Sequence, residues 1–202
     1  MARQPLDAEP QSVDVREIAR CHRLCLPDTA SSRAGLVVLE NLYQALLVDP
    51  AAHVVWDRGP SHASDHGAFA AGTVRYRETE AQTQRALSTP SFMRLALRVA
   101  AMPSHVLARR RWESLIPQEG IGYILTLGVA SAVVPSTPTR RGRELLADLE
   151  AWFSAQGASR SFVDTELSNR RAHAFYTRAG YLEVSRDYGQ VLLQKPLGSA
   201  TG

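Results

Sequence analysis

Cysteine, lysine and long apolar runs are all scarce in this chain, and each scarcity closes off a class of protein. The two cysteines, Cys21 and Cys25, lie four residues apart on one predicted helix. No disulfide framework follows from that, and they read as thiols of a reducing, cytoplasmic compartment. With His22 between them they still lack the further ligands of a metal site. No apolar run approaches the roughly 20 residues that cross a bilayer. The opening "MARQPLDAEPQS" lacks an apolar signal core. Of 23 lysines and arginines only Lys195 is lysine, and arginine favours flat, bidentate contacts with phosphate or carboxylate. The arginine runs Arg109–Arg111 and Arg140–Arg143 carry no interleaved aromatics, so nucleic acid is not an expected partner. Neither a membrane nor a metal ion is expected.

What is present describes a globular α/β protein. A length of 202 residues with 45% hydrophobic composition suits one domain, 1–202, with a real core. Residues 1–11 are expected to be disordered. "SVDV" reads as a short first strand, "VREIARCHRLCL" as a helix, and "DTASSRAG" as a break. "LVVLENLYQALLV" resumes helical spacing and stops at Asp49-Pro50. "AHVVW" and "AFAAGTVRYR" read as strands of a hairpin. His62, Asp65 and His66 in its turn read as solvated. Residues 79–116 read as an inserted stretch of one or two helices, broken at Pro90 and Pro103.

The C-terminal half is more regular. "IGYILTLGVAS" is a central strand, apolar on both faces. "RRGRELLADLEAWFSAQG" is an amphipathic helix and "SRSFVDTEL" a strand, so this strand–helix–strand unit implies a parallel pair. The helix "SNRRAHAFYTRAG" then closes on Gly180, and two strands follow around a turn at Tyr188-Gly189. A mixed sheet with helices on both faces results.

Between the central strand and its helix lies "SAVVPSTPTRRGRELL". Such junctions seat phosphates on free backbone N–H groups, but they are usually glycine-rich. This one has a single glycine, Gly142, among Arg140, Arg141 and Arg143.

"SNRRAHAFYTRAGYLEV" resembles the last helix and following strand of the GNAT superfamily of N-acyltransferases. Asn169, Ala172, Phe175-Tyr176 and Gly180-Tyr181 match that pattern in order and spacing. The resemblance implies a GNAT-like mixed, mostly antiparallel sheet splayed at its central strands, with the helical insertion at about 79–116. It implies acyl transfer, usually of acetyl from acetyl-CoA or another acyl-CoA, to an amine in a ternary complex. Backbone N–H groups of Leu127 and Val129 would polarise the thioester carbonyl. Asn169 would bond the pantetheine arm, and Tyr176 would protonate the departing thiolate. A thiol of pKa about 8.5 and a phenol of about 10 can share that proton. Structure alone explains the same residues differently: Asn169 as a helix cap, Tyr176 as an aromatic packed on the sheet.

The loop departs from the family. Arg140 replaces its first glycine and Thr137 its leading Gln/Arg, leaving Gly142 at the last small position. Three readings follow. The arginines grip CoA phosphate by side chain; or the donor is the phosphopantetheine arm of an acidic acyl carrier protein; or the site is degenerate. The acceptor is read as a small-molecule amine. Its ammonium form must lose a proton at a cost of roughly 4–5 kcal/mol at neutral pH. Glu119, Tyr123, Thr126 and Glu166 near the central strands are candidates for that chemistry, with Asp28, Arg33 and Tyr123 toward the acceptor. A non-catalytic thioester- or partner-binding module and a protein-amine acetyltransferase are the rival readings. The chain is expected to be a monomer or homodimer.

Overall fold

The computed structural model describes residues 14–58, 67–130 and 137–198, the side chains of 137–139 excepted. The expected disorder at 1–11 and the turn residues His62, Asp65 and His66 lie outside these. The chain opens with helices α1 (Val15–Cys25), α2 (Ala30–Ala34) and α3 (Leu36–Val48). Asp14 caps α1, its carboxylate accepting from the N–H groups of Arg16 and Glu17. This cap overrides the strand expected at "SVDV": Val15 is helical, and residues 12–13 are not described. The supposed break after α1 holds the short α2, capped by Thr29.

Strands β1 (Ala52–Asp57) and β2 (Ala68–Thr73) pair antiparallel. The second strand is shorter than expected. At Thr73 the chain is caught by a buried set of polar groups, and Tyr76 already lies in helix α4 (Tyr76–Ala86). The Thr79 hydroxyl donates to Asp49 at 2.7 Å, and Thr73 Oγ1 lies 2.7 Å from Thr79 Oγ1 while donating to the Ala51 carbonyl. Helices α5 (Thr89–Ala100) and α6 (Pro103–Trp112) follow. Three helices thus stand where one or two were expected. Pro90 and Pro103 each sit in a first turn, where proline's missing N–H costs nothing.

Strand β3 (Ile121–Val129), helix α7 (Thr137–Ala155) and strand β4 (Arg160–Glu166) make the expected parallel unit. Helix α8 (Arg170–Arg178) and the hairpin β5 (Leu182–Asp187) and β6 (Gln190–Pro196) finish the chain. The sheet order is β1-β2-β3-β4-β6-β5, antiparallel except at β3–β4. The hairpin turn puts Tyr188 and Gly189 at φ 51° and 78°, the two-residue turn whose twist suits paired strands.

Strand alternation sorts the core into two layers. Ala68 and Ala70 of β2 face Leu145, Leu149 and Phe153 of α7, with Tyr176 of α8. Phe69 and Ala71 face Ile18 of α1 and Leu39 and Tyr43 of α3. On that second face Trp112 of α6 packs with Tyr123, Phe162 and Leu192. The fold is therefore mixed α/β, with an open, mostly antiparallel sheet and helices on both faces.

Two features give testable consequences. Gly72 and Gly122 lie directly beneath the Phe153 ring, and a Cβ on either would collide with it. Gly122→Ala is expected to cost about 1–3 kcal/mol in urea unfolding; adding Phe153→Leu should recover part of that. His22 is buried, with Nδ1 2.7 Å from the Tyr43 hydroxyl and Nε2 3.4 Å from Thr29 Oγ1. Burial pushes its pKa down to about 4, below the 6.5 of a free imidazole. Folding thus favours the neutral ring. The associated stability is complete above about pH 6.5 and is lost as pH falls toward 4, about 2 kcal/mol of it by pH 5. His22→Gln should shrink the difference in unfolding free energy between pH 7.5 and pH 5 by about that amount.

Candidate active site

The site is built on the place where β3 and β4 part. They pair only from Ile121↔Arg160 to Ile124↔Val163. Beyond that β3 stays with β2 as far as Val129, while Asp164, Thr165 and Glu166 pair with β6 alone. The register of β2 and β3 also shifts, Ala71 facing Thr126 and Gly72 facing Ile124. Leu125 is the extra residue, a bulge that bends β3 just where it leaves β4. The Ala130 N–H donates to the Gly67 carbonyl on the β2 side at 2.9 Å. By alternation the N–H groups of Val129 and Leu127 then face away from β2, into the gap.

The gap opens into a cavity of about 990 Å³ that reaches under α4, α5 and α6 to α1–α3. Tyr123, Leu125, Thr126 and Leu127 line it from β3, Asp164 and Glu166 from β4, and Asn169 and Tyr176 from α8. Tyr176 is 6% exposed. Burial first, and then the charge of Asp164, push its phenol above the ordinary tyrosine value, so it is protonated at neutral pH. Asn169 caps α8, its side-chain oxygen accepting from the Ala172 N–H at 3.0 Å. The cap uses the oxygen and not the NH₂ group, and Asn169 lines the cavity. The Thr126 hydroxyl is buried beside Tyr43.

Other sequence candidates fall elsewhere. Glu119 is exposed in the turn before β3, at the strand's opposite end, and does not line the cavity. Arg33 does not line it either; it pairs with the exposed Asp28, which does, at 2.9 Å. Glu166 is exposed at the rim and accepts from the Ser168 hydroxyl at 2.9 Å.

The arginine-rich stretch lies in the helix read from "RRGRELL", which starts three residues earlier than expected. Helix α7 begins at Thr137, so Arg140, Arg141, Gly142 and Arg143 lie inside the helix. Arg141 is held by Asp57 of β1, its Nη2 2.7 Å from Oδ2 and its Nε 2.9 Å from the same atom. Arg140 is exposed and pairs with Glu144 at 2.9 Å. Arg143 is exposed. Gly142 is small because a Cβ there would press on the Phe175 ring at 3.3 Å, with Val129 at 3.6 Å. It packs the start of α7 onto α8 and the end of β3. The N–H groups of Thr137, Thr139 and Arg140 are those a helix start leaves unpaired, Pro138 having none.

The structure also assembles a cluster that sequence reading passed over. Tyr123 donates to Asp164 Oδ1 at 2.5 Å, and Asp164 Oδ2 lies 3.9 Å from His105 Nδ1 on α6. Glu80 on α4 pairs with Arg109 on α6 at 2.9 Å. Arg109 sits over the Tyr76 ring at 5.0 Å, and Tyr76 stacks on Tyr123 at 4.0 Å. Burial pushes the Glu80 carboxyl up, and nearby His105 partly opposes it. Burial and the Asp164 charge hold the Tyr123 phenol well above its usual value. Asp164 had a sequence signal: it stands two residues before Glu166 in "SFVDTEL", on the same strand face. His105 had none beyond its place one turn ahead of the arginine run.

The model of the Acetyltransferase (GNAT) family matches residues 105–181. A GNAT-family protein from Desulfovibrio desulfuricans is 15% identical, with 94% of this chain and 95% of that one covered and a TM-score of 0.58. Aminoglycoside 6'-acetyltransferase type Ii is 13% identical, with 95% of both chains covered and a TM-score of 0.56. A Klebsiella pneumoniae protein described as an acyl-CoA N-acyltransferase is 26% identical over 41% of this chain, with a TM-score of 0.37. The match spans 59% of that relative's length. No curated protein matches the chain. Residues 105–181 thus match the model of the GNAT acetyltransferase family, and over nearly its whole length the chain has the fold of solved GNAT-family structures.

Proposed function

We propose that the protein transfers an acyl group from an acyl-CoA thioester to the amine of a small molecule. The observation that carries this reading is the edge of β3 from Leu127 to Val129, which has no strand partner on the β4 side among the described residues and at Leu127 opens on the cavity that Tyr176 borders. A strand edge with unpaired N–H groups fits an extended chain of amides, and pantetheine is such a chain. The N–H groups of Leu127 and Val129 would bond the arm and meet the thioester oxygen as charge gathers there. Asn169 would donate its NH₂ to the arm. Tyr176, kept protonated by burial and by Asp164, would hand its proton to the sulfur as the C–S bond breaks.

The phosphate end fits less well. No glycine cradle precedes α7 among the described residues, and Arg141 is engaged with Asp57. Phosphate would fall to the exposed Arg140 and Arg143 and to the helix-start N–H groups. With Arg141 so held, a carrier-protein donor has fewer arginines to dock on than the sequence promised.

Acetyl-CoA titrated into the protein is expected to bind. A release of thiol with amines, absent without them, is expected to follow. Binding of phosphopantetheinylated carrier protein with no affinity for acetyl-CoA would overturn the donor assignment. Binding of acetyl-CoA without transfer to any amine would favour the thioester-binding module. Tyr176→Phe should lower kcat by about 100-fold while the acetyl-CoA Kd moves less than about twofold. Unchanged turnover would remove the acid role.

A further inference from the structure

We infer that His105, carried on α6, takes the proton from the attacking amine, and that Asp164 positions it. The inference rests on the acyl-transfer reading of the same cavity.

An alkylamine at neutral pH is almost wholly ammonium, so a site that acylates it needs a proton acceptor near its operating pH. Most titratable groups lining the cavity are already committed. Both nitrogens of His22 are engaged, with Tyr43 and Thr29. Glu80 holds Arg109, Asp28 holds Arg33, and Glu166 holds Ser168. One oxygen of Asp164 takes the Tyr123 hydroxyl. His105 lines the cavity with a third of its side chain open, 30%. Its Nδ1 faces Asp164 Oδ2 at 3.9 Å. Its Nε2 has no hydrogen bond among the described residues.

This is the arrangement of an imidazole base with a carboxylate behind it. Such contacts are often long before substrate binds. The charged groups gathered here are the carboxylates of Asp164 on β4, Glu80 on α4 and Glu113 after α6, with the Arg109 guanidinium that Glu80 pairs. Tyr123 on β3 stays neutral and fixes the other side of Asp164.

The step balances. His105 Nε2 takes one proton from the bound ammonium and passes it to solvent. The freed amine nitrogen bonds to the thioester carbon and gives its second proton to water as the amide forms, the C–S bond breaks, the sulfur takes a proton from Tyr176, and Tyr176 regains one from that water. The products are an amide, free CoA thiol and one net proton, which leaves through solvent.

The test uses the full chain, acetyl-CoA and two acceptors of like shape: 2-phenylethylamine, an ammonium at pH 7, and O-benzylhydroxylamine, already neutral there. Thiol release is followed from pH 5.5 to 9. His105→Gln is expected to lower kcat/KM for 2-phenylethylamine by about 100-fold or more and to abolish the acidic limb of its pH profile. O-benzylhydroxylamine should lose far less, and the acetyl-CoA Kd should stay unchanged. Asp164→Asn should keep a limb but move it to lower pH. Equal losses for both acceptors with an unmoved limb would show that His105 only supports the cavity wall, and would overturn the inference alone. Wild-type protein that binds acetyl-CoA yet acylates neither acceptor, nor spermidine nor kanamycin, would overturn the transfer reading and the base together.

Discussion

The parting of two parallel strands is the constraint on which the rest of this structure depends. Strands β3 and β4 share four residue pairs and then separate after Ile124↔Val163. A buried strand edge leaves N–H and C=O groups without partners, at a cost that most proteins avoid. Here each strand keeps one neighbour, β2 for β3 and β6 for β4, and among the described residues the facing edges have no strand partner. The bulge at Leu125 bends β3 at the fork. Gly142 lets α7 settle against Val129 at the far end. The opening is therefore built into the sheet and does not need a loop to move.

The other half of the cavity comes from α4–α6, and these helices are fastened at both ends. Thr79 ties the start of α4 to the buried Asp49 beside β1. Trp112, fully buried, ties the end of α6 to β5 by donating from its indole to Asp187 at 3.0 Å. Between these anchors the walls are looser: α5 exposes Phe92, Met93 and Leu97. A rigid α6 matters because His105 and Arg109 both sit on it, one turn apart, facing the sheet residues Asp164 and Tyr123.

The arginines show how a motif can be displaced by its own neighbourhood. Read in sequence, Arg140–Arg143 crowd a phosphate loop. Folded, Arg141 turns back to Asp57 and ties α7 to β1, while Arg140 finds Glu144 one turn on. Two of the three arginines thus have protein partners, and Arg143 stands at the surface. Likewise Asn169 is a cap and a cavity wall at once.

The sequence by itself determined many of the local elements: Asp49-Pro50 stopping a helix, Tyr188-Gly189 turning a hairpin, and a doubly apolar run making β3, whereas 79–116 was read as one or two helices and the second strand as running past Thr73. The first three follow from short-range sterics, capping and side-chain period, which neighbouring residues alone decide. The lining positions on β3 and α8, among them Tyr123, Leu127, Asn169 and Tyr176, were also legible, because they lie on elements whose pattern resembles the family's. The start of the chain was misread where a side-chain cap, Asp14, outweighed the β-character of "SVDV". Glu119 was misjudged because nearness in sequence to the central strand does not say at which end of it a residue sits. Asp164 and His105 lie 59 residues apart in numbering, yet they meet across the cavity at 3.9 Å. Only the tertiary structure decided that meeting, as it decided Arg141's pairing with Asp57, because long-range packing of α6 and α7 on the sheet sets those distances and no local propensity encodes them.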